Sequence, residues 1–268
     1  MKLSDAVKLL QNAGIDSAAY DAREIFLRIG GFSRNELLLS DPQSFDENLI
    51  SAIHRRQKRE PLQYIVGEVG FYKETYKVSK DCLIPREDTE ILVDYAVKNL
   101  PSGAHFLDIC TGSGCIAIST LKNTENTTAT AIDISPAALA VANENAALNG
   151  VAERISFVAS DVLSESVEAK AFAILSNPPY VTEKAYDKLE SEIYFEPKIA
   201  FVGGADGLNF YRKILDNYRD KIDKKGFFAF EIGYDQAQSI RSLALARGLN
   251  AEIIKDLSGN DRVAIIKP

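Results

Sequence analysis

The sequence predicts an α/β fold: a Rossmann-like parallel sheet that ends in an antiparallel hairpin, preceded by a small all-α unit. Three observations predict it. Beyond residue 100, apolar β-forming runs alternate with stretches of helical period, and that alternation means parallel strands with helices on both faces. The last two runs, 251–255 and 262–267, are separated only by Asp256-Leu257-Ser258-Gly259-Asn260-Asp261. That loop leaves no room for a crossover helix, so the pair must be antiparallel. Finally, the first 60 or so residues carry helical periodicity and no strand signal.

Composition sets the broad class. A chain of 268 residues fits one large or two modest domains. With 46% hydrophobic and 26% charged residues it has the make-up of a globular protein rather than a disordered one. No apolar run reaches the roughly 18 residues of a membrane span, so no membrane contact is expected. Met1-Lys2-Leu3-Ser4-Asp5 leads straight into an amphipathic helix without a signal-peptide core, so a cytoplasmic location is expected. Cys82, Cys110 and Cys115 are scattered, and there are only two histidines, so neither disulfides nor a metal site is expected. His54 and His105 read as structural. The net charge of −7 argues against a broad nucleic-acid footprint. A monomer without direct nucleic-acid binding is expected.

The elements follow in order. Leu3, Ala6, Val7 and Leu10, then Ala19, Ala22, Ile25, Phe26 and Ile29, recur at helical spacing, with Gly14 and Gly30-Gly31 as C-terminal stops. Ser33 and Glu36 form a capping box for a short helix through Leu39. A fourth helix spans Asp46 to Arg59 and stops at Pro61. Its run Arg55-Arg56-Gln57-Lys58-Arg59 reads as a solvated helix end, or else as a contact for an acidic partner. Tyr64, Val66, Phe71, Tyr76 and Val78, broken by Gly67 and Gly70, read as a hairpin. The expected division is therefore residues 1–63 as a helical bundle, 64–84 as a β-hairpin linker and 85–268 as the α/β domain. Asp88 or Thr89 starts a helix through Leu92, Val93, Tyr95 and Ala96. Strands are expected over 106–109, 130–133, 155–158, 172–175 and 226–232, with a helix from Ala137 to Leu148.

Two stretches carry the chemistry. The first is strand, glycine turn and helix start: Asp108-Ile109-Cys110-Thr111-Gly112-Ser113-Gly114. Gly112 and Gly114 let the backbone approach a ligand closely. Asp133 ends the next strand, where a carboxylate can accept both hydroxyls of a ribose. The spacing Gly112-x-Gly114-x-x-Ala117 also fits a dinucleotide. Two features favour S-adenosylmethionine instead: Asp108 is better placed for an ammonium than beside a pyrophosphate, and the closing hairpin is the edge pattern of enzymes using that cofactor. Asp161, followed by Val162, ends the third strand, where it can accept from an adenine amino group. The second stretch is Asn177-Pro178-Pro179-Tyr180. Two prolines cannot continue a strand, so the chain leaves the sheet in a rigid loop. Asn177 and the Pro178 carbonyl offer acceptors for both hydrogens of a planar –NH2 group, and Pro179 and Tyr180 offer walls for its plane.

The whole chain resembles the peptide chain release factor glutamine methyltransferases. The likeness rests on Asn177-Pro178-Pro179-Tyr180, the glycine loop and Asp21-Ala22-Arg23. It extends to Glu60-Pro61-Leu62-Gln63-Tyr64-Ile65-Val66-Gly67, Ile84-Pro85-Arg86 with Thr89-Glu90, and Glu196-Pro197 with Gly203-Gly204-Ala205-Asp206-Gly207-Leu208. The closing Asp256-Leu257-Ser258-Gly259-Asn260-Asp261-Arg262-Val263 belongs to it too. The resemblance implies a class I S-adenosylmethionine methyltransferase domain behind a helical domain that recognises the substrate protein. It implies methyl transfer to the glutamine side-chain nitrogen of a Gly-Gly-Gln motif in class 1 release factors. It also implies a cofactor site of Asp108, Cys110, Thr111, Gly112, Ser113, Gly114, Asp133, Asp161, Val162 and Asn177. The substrate site would be Asn177, Pro178, Pro179, Tyr180, Arg86 and Glu90, with Asn177, Pro178 and Tyr180 at the chemistry. Arg86 and Glu90 are expected to pair, either fixing the hairpin beside the pocket or as a surface ion pair of little energy. Three positions depart from the family pattern. Cys110 stands where a glycine is usual, Glu87-Asp88 replaces Pro-Glu, and Val162 replaces an aromatic beside adenine. Rival readings are an adenine-N6 methyltransferase, which shares the tetrapeptide but needs base flipping and a basic recognition region, a non-catalytic binding module, and a nicotinamide dehydrogenase.

Overall fold

The computed structural model describes all 268 residues, and the chain divides into two compact units. One comprises Met1–Glu68 together with Glu190–Phe195; the other comprises Val69–Leu189 and Glu196–Pro268.

The first unit is helical: α1 (Leu3–Asn12), α2 (Ala18–Arg28), α3 (Arg34–Leu39), α4 (Glu47–Gln57) and α5 (Leu62–Val66). Its core is built by the periodic positions, among them Ala6, Leu10, Ala22, Ile25, Phe26, Leu49 and Ile53. The capping box of α3 forms in both directions, with the Ser33 amide donating to Glu36 Oε2 at 2.7 Å and the Glu36 amide to Ser33 Oγ at 3.3 Å. Asp46 caps α4 by accepting from the Asn48 amide at 2.8 Å.

Two expectations change here. Tyr64 and Val66 are helical, not extended: Pro61 sits just before α5, where its missing N–H costs nothing. Leu62 and Ile65, three residues apart, are both buried, which turns the segment into a helical one. The arginine run is not simply solvated. Arg55 pairs with Glu60, Arg56 donates to Asp21 at 2.6 Å, and Arg59 donates to the Ala13 and Gly14 carbonyls and to Glu192. Both side chains of the Asp21–Arg56 pair are almost fully buried, so removing one partner strands the other charge without solvent. Arg56→Ala is expected to destabilise the helical unit by about 3–5 kcal/mol. Calorimetric unfolding of the full chain measures this, and an unfolding profile identical to wild type would contradict it.

The second unit begins at the second residue of a hairpin, β1 (Glu68–Phe71) and β2 (Glu74–Lys77), which is followed by α6 (Glu90–Asn99). The hairpin, narrower than the expected 64–84, is not a free linker. A lone two-stranded hairpin is marginal in water, and here Phe71 and Tyr76 belong to the same buried cluster as Leu92, Phe106 and Ile116. Asn145, itself buried, holds β2 by accepting from the Lys77 amide at 2.7 Å and donating to its carbonyl at 3.0 Å.

The chain continues as β3 (His105–Ile109), α7 (Cys115–Lys122), β4 (Thr128–Asp133), α8 (Pro136–Leu148), β5 (Ile155–Ala159), β6 (Ala171–Ser176), α9 (Glu183–Tyr186), α10 (Asn209–Tyr218), β7 (Ile222–Glu231), α11 (Ala237–Leu245), β8 (Asn250–Lys255) and β9 (Asp261–Lys267). Seven strands form one sheet in the order β5-β4-β3-β6-β7-β9-β8. All contacts are parallel except β7–β9 and β8–β9, so the expected closing hairpin is present. Successive residues of β3 face opposite ways: Phe106 joins one buried cluster and Leu107 the other, so both faces of the sheet are covered. The strand order reverses between β3 and β6, and the crevice at such a switch point, beyond the carboxyl ends of the strands, is where open α/β sheets bind ligands. No helix is long and apolar enough to cross a membrane.

Candidate active site

A cavity of about 380 Å³ lies at those carboxyl ends. Cys110 and Gly112 line it after β3, Asp133 and Ser135 after β4, Asp161 and Val162 after β5, and Asn177 and Pro179 after β6.

Asp108 lies behind the glycine loop and is fully buried. Its Oδ2 accepts from Thr111 Oγ1 at 2.5 Å and from the Ala117 amide at 3.1 Å, while Oδ1 has no partner. Burial pushes this carboxyl up to about 7, against the usual 3.8, and the two donors only partly offset that. A buried carboxylate with an orphaned oxygen fits a site whose ligand brings a cationic donor. Asp133 accepts from the Gly112 amide at 2.8 Å through one oxygen and from the Ser135 amide at 2.9 Å through the other. Each oxygen keeps a further acceptor direction, enough for a pair of vicinal hydroxyls. Burial raises the Asp133 carboxyl as well, against the pull of those amides. Asp161 binds its own turn, accepting from the Leu163 amide at 2.9 Å through Oδ1. The residues therefore fit an aminoacyl nucleoside.

Cys110 has φ +60°, the left-handed region. The backbone conformation, more than side-chain size, explains why glycine is the usual residue at this position.

The loop after β6 is held from three directions. Asn177 Nδ2 donates to Thr89 Oγ1 at 3.2 Å, Thr89 Oγ1 donates to Glu231 Oε2 at 2.5 Å, and the Tyr180 hydroxyl donates to Glu231 Oε1 at 3.2 Å. Gln236 Nε2 donates to the Tyr180 carbonyl at 3.2 Å. Gly203 packs so close that a Cβ there would stand 2.3 Å from the Pro179 carbonyl oxygen, which accounts for glycine in the Gly203-Gly204 pair. Asn177 Oδ1 and the Pro178 carbonyl are not taken up by other groups of the chain. Burial and the neighbouring Glu231 carboxylate push the Tyr180 phenol up, so it stays a neutral donor.

The sequence-predicted residues divide accordingly. Cys110, Gly112, Asp133, Asp161, Val162, Asn177 and Pro179 meet around the cavity. Thr111 and Ser113 are buried, the first turned towards Asp108 and the second offering its carbonyl to Asn145 Nδ2 at 2.9 Å, so they support the loop from behind. Gly114 begins α7 with φ +81°. The expected Arg86–Glu90 pair does not form. Arg86 pairs with the buried Glu196, which also accepts from the Ile84 amide at 3.0 Å, and Glu90 accepts from the Tyr72 amide at 2.6 Å. Sequence reasoning missed Glu231, and noted Glu196 only as part of the family pattern without its role as the partner of Arg86. The available signal was a lone carboxylate closing the apolar run Phe227-Phe228-Ala229-Phe230.

Residues 87–196 match the methyltransferase small domain and residues 2–67 the PrmC N-terminal domain. A solved methyltransferase from Pyrococcus furiosus, 21% identical, has a TM-score of 0.53 and covers 71% of this chain and 86% of its own. Fold and site thus define a methyltransferase of the class I type, whose methyl donor is S-adenosylmethionine. The release factor glutamine methyltransferase of Thermodesulfovibrio yellowstonii is 40% identical over 256 residues, covering 92% of this chain and 91% of that protein. The one of Caulobacter vibrioides is 36% identical over 264 residues, covering 96% and 91%. The chain belongs to the release factor glutamine methyltransferase family.

Asp108 makes the ligand-free protein pH-sensitive. Its folded value lies above its unfolded one, so the folded state holds the proton more tightly. The stability it contributes is complete below about pH 4 and is lost as pH rises through about 7. Thermal melts of the ligand-free protein should show this decline, and Asp108→Asn should remove that part of it. An unaltered profile in the variant would contradict the assignment.

Proposed function

We propose that the chain transfers a methyl group from S-adenosylmethionine to the side-chain amide nitrogen of the glutamine in the Gly-Gly-Gln motif of peptide chain release factors. The observation that carries this reading is the pair of uncommitted carbonyl acceptors, Asn177 Oδ1 and the Pro178 carbonyl, on one rigid loop beside the cavity. A primary amide has two hydrogens in one plane, and two acceptors hold both.

The cofactor, when bound, supplies an electrophilic methyl group on a positively charged sulfur. Asp133 would hold the ribose hydroxyls, and Asp108, behind the glycine loop, would answer the ammonium. Asp161 would take the adenine amino group through the oxygen that its turn leaves free. On the substrate side the difficulty is the amide nitrogen, whose lone pair is delocalised into its carbonyl. Asn177 and Pro178 accept its two hydrogens and so favour the positive charge that develops on nitrogen during transfer. Both are neutral acceptors, so neither takes a proton as the N–C bond forms; the S–C bond breaks to leave a neutral thioether, and the methylated nitrogen, positively charged, then sheds one of its two hydrogens to water. Pro179 and Tyr180 restrict the amide plane, and that orientation lowers the barrier further. The helical unit carries none of these groups, and in this reading it grips the release factor. The enzyme would work as a cytoplasmic monomer.

The experiment is single-turnover transfer of labelled methyl to a release factor, to the same protein with its Gly-Gly-Gln glutamine replaced, and to duplex DNA. Label is expected only on the first; label on DNA alone would establish the adenine reading instead. Asn177→Ala and Asn177→Asp should each lower turnover about 100- to 1000-fold with the cofactor still bound. Wild-type rates in Asn177→Ala would contradict the assigned role.

A further inference from the structure

We propose that Thr89 and Glu231 are positioning residues that fix which end of the Asn177 amide faces the target nitrogen. The inference rests on the reading of Asn177 as an acceptor for that nitrogen. An asparagine side chain ends in two groups of nearly equal size and opposite hydrogen-bonding character. Turned over, Asn177 would present –NH2 to the –NH2 of the substrate, donor against donor. Something must forbid that state.

Glu231 does so through a chain of hydrogen bonds whose direction is fixed by chemistry. It closes β7, next to the Ser176–Phe230 register pair, and is 2% exposed. A carboxylate only accepts. Its Oε2 takes the single hydroxyl hydrogen of Thr89 at 2.5 Å, and its Oε1 takes that of Tyr180 at 3.2 Å. Thr89, its hydrogen committed, can only accept from the next group, and it accepts from Asn177 Nδ2 at 3.2 Å. The nitrogen end of Asn177 is thereby held towards Thr89 and the oxygen end is left for the substrate.

A further observation points the same way. Thr89 ends the 3-10 turn of residues 87–89 that runs into α6 with helical backbone angles, so its hydroxyl has no capping duty and is free to serve Glu231 and Asn177. Glu231 has no salt-bridge partner within 4.0 Å, and a buried carboxylate is costly compared with an apolar side chain of similar size. Burial raises its pKa, while the Thr89 hydroxyl, the positive field of Arg262 and the Tyr180 hydroxyl oppose that rise.

Two measurements on the full chain test this. The first needs no substrate: the Asn177 side-chain amide is followed by NMR on protein labelled with 15N in its asparagines, and assigned by its loss in Asn177→Ala. Its hydrogen exchange should accelerate about tenfold or more in Thr89→Val and stay near wild type in Thr89→Ser, which keeps the hydroxyl. The second is kinetic. Thr89→Val and Glu231→Gln should lower kcat on a release factor about tenfold or more while KM and cofactor affinity stay within about twofold, and Thr89→Ser should restore kcat. Wild-type kcat in Thr89→Val, or a loss that Thr89→Ser shares in full, would overturn the proposal. If Thr89→Val does not fold, Glu231→Gln set against Thr89→Ser gives the same comparison. If the wild-type protein methylates no release factor, the proposed function fails while the NMR measurement still decides the orientation of Asn177.

Discussion

Two consecutive prolines cannot donate to a β-ladder, and the rest of the site depends on that constraint. Strand β6 must stop at Ser176, beside the carboxyl end of β3, to which Ser176 Oγ donates through the Ile109 carbonyl at 2.5 Å. The loop that follows cannot satisfy itself through backbone pairing, so other parts of the domain hold it. The Gly203-Gly204 segment packs against it, Gln236 holds the Tyr180 carbonyl, and Glu231 holds Thr89 and Tyr180. These partners come from the stretch after α9, from the turn into α11, from the end of β7 and from the start of α6. A primary amide needs two acceptors in one plane, and a loop that is stiff by covalent structure and fixed by distant partners would, under the proposed function, supply them with little reorganisation.

The glycine-loop side of the cavity follows a different logic. Its carboxylates are buried beneath or beside a glycine loop, and their cost shows directly: Asp108 has an orphaned oxygen, and burial raises both it and Asp133. The free protein thus carries an electrostatic penalty that a ligand with a cationic end and adjacent hydroxyls would relieve. Cys110 adds a conformational one, a left-handed residue with a side chain. Strain of this kind persists where the surrounding structure over-determines the backbone, and here the Thr111 amide ties the loop to the Ile132 carbonyl at 3.0 Å.

The parts of the fold legible in the sequence were those set by local pattern. The β-α alternation, the closing hairpin, the capping box at Ser33 and the tetrapeptide at Asn177 all rest on neighbours within a few residues. What escaped depends on partners far apart. Thr89 and Glu231 are separated by 142 positions, and Arg86 and Glu196 by 110. A sequence reading pairs Arg86 with nearby Glu90 because nothing local reveals that Glu196 is buried beside it. Residues 64–66 were misassigned for a related reason: Tyr64 and Val66 are good β-formers, but Leu62 and Ile65 find a buried face in the helical unit, and tertiary burial overrides propensity. Nothing local marks Asn145 within the helix expected from Ala137 to Leu148, yet it ties β2 and the glycine loop together.

The central claim is that the loop recognises a planar nitrogen by two hydrogens, one for each acceptor. A product that already bears a methyl group has only one hydrogen left and can satisfy only one of them, so transfer should stop after a single methyl. The decisive measurement is the intact mass of a release factor after prolonged reaction with excess methyl donor, followed by fragmentation to place the added mass. The account predicts the mass of one methyl group and no more, on the side-chain nitrogen of the Gly-Gly-Gln glutamine. Two methyl groups on that nitrogen, or one on any other atom, would contradict it.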